Sequence, residues 1–166
     1  MEHKLIYFLS LFLLMLITGV FWGTWFTLIR SFESFSAAEF IHIGKVIIAN
    51  VAVPMSIIMP LGILLTIVSL WVYPAKGSAA FYVGVLSFVL LIITLLVTLM
   101  VLVPIDNDIK NWTAANLPAN FEDIRKEWKT FHAIRTFTSL ASFAFYAWFI
   151  LASFDRKQLA SPPDKM

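Results

Sequence analysis

Residues Leu5 to Leu28 read LIYFLSLFLLMLITGVFWGTWFTL, 24 consecutive positions without a charge. At a rise of about 1.5 Å per residue, a helix crosses the roughly 30 Å hydrocarbon core of a bilayer in about 20 residues, so this run fits a membrane and little else. Lys4 precedes it as in a signal peptide. The run is too long for a signal sequence and lacks a small-x-small cleavage site, so it reads as a retained span. Phe21, Trp22, Trp25 and Phe26 crowd its far end, where amphipathic rings settle at lipid headgroups.

Three more apolar runs come after it, giving expected spans at about 5–28, 46–71, 81–103 and 135–154. The chain is 60% hydrophobic and 13% charged, with 16 Phe and 6 Trp. A soluble domain of 166 residues could not cover that much apolar side chain with polar surface. The fold class expected is all-α, an integral membrane four-helix bundle. Residues 1–154 form one four-span domain and 155–166 a polar tail.

Local signals set the helix ends. Ser36, with Glu39 three residues on, makes a capping box: the serine oxygen accepts the Glu39 amide and the carboxylate reaches back to the Ser36 amide. Helix two therefore starts before the membrane and runs to about Trp71, with Pro54 and Pro60 inside it. On a helical wheel Glu39, His42, Val46, Asn50 and Val53 form one stripe entering the membrane. Tyr73 to Ala80, YPAKGSAA, is a turn joining antiparallel neighbours. Ser87, Thr94 and Thr98 put small hydroxyls on one face of helix three, suited to close packing. Pro104 and Asn107 read as the end of that helix, and Asn120 as a side-chain cap for helix four. Helices two and four thus extend beyond the bilayer on the same side.

The stretch Val103 to Arg135 holds Asp106, Asp108, Glu122, Asp123 and Glu127, five of the ten acidic residues in the chain. From within it onward, Trp128, His132, Arg135, Ser139, Ser142 and Tyr146 are spaced 4, 3, 4, 3 and 4, a continuous helix face. Ionisable groups in hydrocarbon are costly and point into a bundle or cavity. That face is where chemistry is expected.

Other classes drop out. A net charge of +2, scattered along the chain, gives no clustered basic face for nucleic acid. With no cysteine there is no thiolate nucleophile and no thiolate metal site. Four spans place both termini on one side. Counting Lys and Arg gives five on that side and seven on the other; with Arg30 and Arg135 assigned to a site, the sides tie, and Arg156 and Lys157 against a helix end favour cytoplasmic termini in a cell membrane.

The string Val103-Pro104-Ile105-Asp106-Asn107, then Trp112 and Pro118, then Trp128-x3-His132-x2-Arg135, resembles the anthrone oxygenase-like family of small four-helix membrane proteins. Thr18-Gly19-Val20, Gly23 and the proline-containing second span fit the same pattern. The family string carries asparagine where this chain has Asp106. The resemblance implies oxidation of a lipophilic aromatic, anthrone- or quinol-like, with no cofactor required. Such chemistry needs a base, donors for an enolate oxygen and a greasy pocket. On that footing His132 or Asp106 would be the base, Arg135 and Asn107 would hold the oxyanion, and Trp112, Trp128, Tyr146 and Asn50 would contact substrate.

Two other readings stand beside it. His42 and His132 on facing helices could hold haem or a divalent metal, with Glu39, Glu33 or Asp106 completing a hard-metal site. Alternatively the chain is a non-catalytic accessory or sensor protein, with Arg125, Lys126 and Lys129 available to a protein partner or anionic lipid. The partners expected are the lipid bilayer and a lipophilic small molecule, and a homo-oligomer is compatible with four spans.

Overall fold

The computed structural model describes residues 2–159, with side chains from Lys4 to Ser153. The order is α1 (Glu2–Thr27), a 3₁₀ turn (Ile29–Ser34), α2 (Ala37–Trp71), α3 (Ala79–Val97), a π-helical segment (Thr98–Leu102), α4 (Val103–Asn111) and α5 (Phe121–Leu159). Helices α3 and α4 and the π segment form one continuous rod, so the architecture is a four-helix bundle with no strand among the described residues. All four rods are long and apolar enough to cross a membrane. The tail beyond Leu159 lies outside the described residues; α5 itself passes the expected end at Phe154.

Length forces α2 and α5 out of the bilayer. They hold 35 and 39 residues, roughly 50 to 60 Å at 1.5 Å per residue, against a core of roughly 30 Å. The capping box that starts α2 is present: the Glu39 amide donates to Ser36 Oγ at 3.3 Å, and the Ser36 amide donates to Glu39 Oε2 at 2.8 Å. At the head of α5 it is the Asn120 carbonyl, rather than its side chain, that accepts from the Asp123 and Ile124 amides. The projecting ends are joined by polar bonds. Lys129 pairs with Glu33 at 2.7 Å, Arg125 donates to the Phe35 carbonyl at 2.9 Å, and Lys45 donates to the Trp112 carbonyl at 2.8 Å. Both long connections therefore sit at one end of the bundle.

That end also has its own apolar core, as water-facing structure requires. Trp128 is fully buried, stacked on Phe32 at 5.1 Å and edge-on to Phe40 at 5.6 Å. At the opposite end Tyr7, Tyr73, Tyr146 and Phe149 form a second cluster. The turn there places Gly77 at φ +94, a backbone conformation that side chains disfavour.

Between the two ends, α3 packs closely on α5 through hydroxyls. Ser87 Oγ donates to the Ser142 carbonyl at 2.7 Å, and Ser142 Oγ returns a bond to the Ser87 carbonyl at 2.8 Å. Thr94 and Thr138 share a bond at 2.9 Å. Gly84 allows the approach, since a Cβ there would meet the Phe149 ring of α5 at 3.1 Å.

The third rod does not stop at Pro104. Proline has no amide hydrogen and its ring crowds the carbonyl four residues back. The π segment absorbs this: the Val103 amide bonds to the Thr98 carbonyl, five residues back, and the helix resumes with Pro104 in its first turn and continues to Asn111. The loop is shortened to Trp112–Asn120.

The polar stripe of α2 also turns out differently. Glu39, His42, Val46, Asn50 and Val53 are all exposed, facing away from the bundle. The face turned inward is the apolar one, carrying Ile41, Gly44 and Ile48. Gly44 lies so near α4 that a Cβ would meet Ile109 Cγ2 at 3.3 Å.

Candidate functional site

A cavity of about 480 Å³ lies among α1, α2, the third rod and α5. This is within the range of roughly 300–1,000 Å³ typical of small-molecule sites. The third rod lines it with Leu95, Thr98, Leu99, Val103, Asp106 and Asn107, and then with Lys110. Residues 99, 103, 106, 107 and 110 keep the spacing of one helix face. The π segment interrupts that face immediately before its polar half, and such segments are frequent at functional sites.

From α5 come Trp128, His132 and Arg135, one stripe at i, i+4 and i+7. They are 0%, 4% and 7% exposed. Trp128 Nε1–H donates to Asp106 Oδ1 at 2.8 Å, crossing from α5 to α4. The same indole stands edge-on to the His132 ring at 4.1 Å. Arg135 Nη2 is 2.8 Å from His132 Nδ1, and its guanidinium sits over the Phe21 ring of α1 at 4.2 Å from the centroid.

The contact between Arg135 and His132 fixes a proton. A guanidinium only donates, so His132 Nδ1 accepts. The neutral ring then carries its hydrogen on Nε2, which makes that nitrogen a donor. His132 Nε2 and Arg135 Nε are both buried without a partner among the described residues. Burying an unsatisfied donor costs roughly 1–3 kcal/mol, and both donors belong to side chains that line the cavity.

Arg135 and Asp106 do not form a salt bridge. The ion pairs among the described residues are Arg125–Glu122 and Lys129–Glu33. The positive charge of Arg135 is instead accommodated by the Phe21 face and the His132 lone pair, and Asp106 lines the same cavity.

A family model described as anthrone oxygenase matches residues 45–145, well over half of the chain. The chain belongs to the anthrone oxygenase family. The matched segment takes in most of α2, the third rod and most of α5, and so includes all of the cavity wall except Phe21. No curated protein and no solved structure matches the chain.

Of the residues singled out in this member of the anthrone oxygenase family, the structure brings together Asp106, Asn107, Trp128, His132 and Arg135 on one cavity. It keeps the others apart. Trp112 is buried against Phe121, with ring centroids 5.8 Å apart, where it closes the loop rather than lining the cavity. Tyr146 belongs to the core cluster at the opposite end. Asn50 and His42 face outward, and the Glu39 carboxylate is engaged by Ser36. No three His, Asp or Glu side chains come together in a metal-holding group among the described residues. The set His42, Glu39 and His132 is thus not assembled as a three-ligand site.

Two residues of the anthrone oxygenase fold around this cavity carry no signal that the sequence makes plain. Lys110 donates to Asn107 Oδ1 at 2.9 Å and lines the cavity; its position four residues after Asp106 places it on the same face only once α4 is known to be helix. Phe21 supplies the ring beneath Arg135 from another helix, and no local pattern announces such a contact.

Proposed function

We propose that this protein is a membrane oxygenase or oxidase of lipophilic aromatic compounds, anthrone- or quinol-like, working at the Asp106–Trp128–His132–Arg135 cavity. The reading is carried by one observation: two buried N–H donors, His132 Nε2 and Arg135 Nε, lack partners on the same cavity that holds a tryptophan-oriented carboxylate. The family match supports the reaction class.

In this reading the substrate oxygen accepts from the two donors, which stabilise negative charge as it develops there. Asp106 takes the acidic proton, oriented by the Trp128 N–H. Donation lowers the charge that the aromatic enolate must bear, and its electron pair passes to O2. With an anthrone, a C–O bond forms between the deprotonated carbon and O2, the resulting peroxide takes the proton back from Asp106, and loss of the remaining hydrogen on that carbon with O–O cleavage releases water and leaves the new carbonyl. His132 acts as a donor in this scheme, since its Nδ1 lone pair is engaged by Arg135. Asn107 and Lys110 stand at the cavity's polar end beside Asp106.

The test is oxygen uptake by membranes containing the protein, supplied with anthrone or a lipophilic quinol. Asp106→Asn should abolish protein-dependent uptake. Uptake equal to that of the unsubstituted protein would sink the proposal.

A further inference from the structure

The cavity is long, and its two ends differ. On α2 it runs from Ile47 to Pro60, and on the third rod from Lys110 back to Leu95. Both stretches measure roughly 20 Å at 1.5 Å per residue. The antiparallel helices match end to end, because Gly44 faces Ile109 at one end and Met59 packs with Leu95 at the other. The cavity is thus about 20 Å long for a volume of about 480 Å³.

Asp106, Asn107 and Lys110 stand at one end, and His132 and Arg135 follow toward the middle, where the Arg135 guanidinium lies over Phe21. The other end is walled by Met55, Met59, Pro60, Leu95 and Leu99. The hydroxyls along the way are turned to their own helices. Ser56 Oγ donates to the Val53 carbonyl at 2.8 Å, and Thr98 Oγ1 donates to the Thr94 carbonyl at 2.8 Å. Methionine thioethers are adaptable packing partners for an irregular apolar ligand. The trough also has an open side. Ala52, Ser56 and Pro60 on α2, and Leu99 and Val103 on the third rod, line it and are exposed on the apolar flank of the bundle.

We infer that the natural ligand is an amphiphile: an oxygen-bearing aromatic head seated at His132 and Arg135, and a flexible apolar tail lying along the α2–α3 trough, which it enters sideways from the bilayer. The inference rests on the proposed reading of the head site and narrows its substrate class. A compact polycycle would leave much of the trough empty. A prenylated or alkylated quinol or phenol would fill more of it, and its tail would reach the trough without leaving hydrocarbon.

The experiment compares two probes on the purified full chain in mixed micelles, 2-methylnaphthoquinone with and without a farnesyl chain. Binding is read from ligand-dependent thermal stabilisation, which rises with ligand concentration over Kd. The tailed probe should bind at least tenfold more tightly than the tailless one. Ser56→Trp and Leu99→Trp, both at exposed positions on the trough, should bring the ratio of the two affinities close to one. Leu151→Trp, on the exposed surface outside the cavity, should leave the ratio as it was and so controls for partitioning into micelles. An unchanged ratio in both trough variants overturns the tail assignment. Failure of the head site has a different signature, namely tailless binding that is indifferent to Arg135→Met.

Discussion

Trp128 commits its single hydrogen-bond donor to Asp106, Nε1–H to Oδ1 at 2.8 Å, across the gap between α5 and α4. The indole is fully buried and stacked on Phe32, so the carboxylate is aimed by a closely packed side chain. A bond to a charged group is worth roughly 1.5–3 kcal/mol. Trp128→Phe keeps an aromatic ring on Phe32 and removes the donor. It should lower unfolding free energy in detergent by about 2–3 kcal/mol and reduce oxidation at least tenfold, as measured by thermal melts and oxygen uptake on the same preparation.

Asp106→Asn separates shape from chemistry. The amide oxygen still accepts from Trp128, so the melting temperature should stay within a few degrees of the parent. A positioned base contributes typically about 10²–10⁴ in rate, and turnover should fall by at least the lower of these. A variant that melts like the parent and turns over like it would remove Asp106 from the reaction.

Arg135 is held by shape as much as by charge, with its flat guanidinium over Phe21 and one N–H on His132. Lysine keeps the charge but not the planar fork. Arg135→Lys should therefore fold, yet bind quinone-type acceptors about tenfold more weakly in titration calorimetry. Arg135→Met strands His132 Nδ1 and should cost about 1–3 kcal/mol in stability besides.

Pro104→Ala probes the π segment. With an amide restored at position 104, the Met100 carbonyl regains a donor and the segment Thr98–Leu102 can wind as ordinary α-helix. Removing the extra residue from one turn rotates α4 by about 100° relative to α3, which takes Asp106 off Trp128. Stability should hold or rise while oxidation falls at least tenfold, a split readable from melts and oxygen uptake together.

The reciprocal serine pair joins α3 to α5. Interhelical bonds of this kind average only about 0.6 kcal/mol in membranes, and Ser87→Ala should cost about that. Ser87→Val adds volume at a fully buried contact and should cost about 1–3 kcal/mol. Unfolding titrations of the two variants check the difference.

The four long apolar helices, the capping box and the interhelical hydroxyls Ser87 and Thr94 were legible in the sequence because each is a local or periodic signal. The features that escaped it were not periodic. Trp128, His132, Arg135 and Tyr146 share a wheel face, but a wheel discards height, and Tyr146 stands 18 residues from Trp128, roughly 27 Å along the axis. It therefore joins Tyr7 and Phe149 instead. The polar stripe of α2 suggested an inward face, yet the bundle took the smoother apolar side with Gly44, which lets α4 come close. Pro104 read as a stop because proline usually is one; only the i−5 bond from Val103 to Thr98 shows how the rod runs through it. Asp106, Asn107, His132 and Arg135 were nominated from the motif, whereas the bond from Trp128 and the ring of Phe21 needed three dimensions.

The bond between Arg135 and His132 spans only three residues of one helix. It can form while α5 is still a lone segment leaving the insertion machinery, before Phe21 or the third rod arrives. A helix that entered lipid with this bond made would have part of its guanidinium already occupied, which would ease a step that a bare arginine hinders. Biogenesis of the C-terminal helix would then be sensitive to His132 even in a fragment that lacks the rest of the bundle.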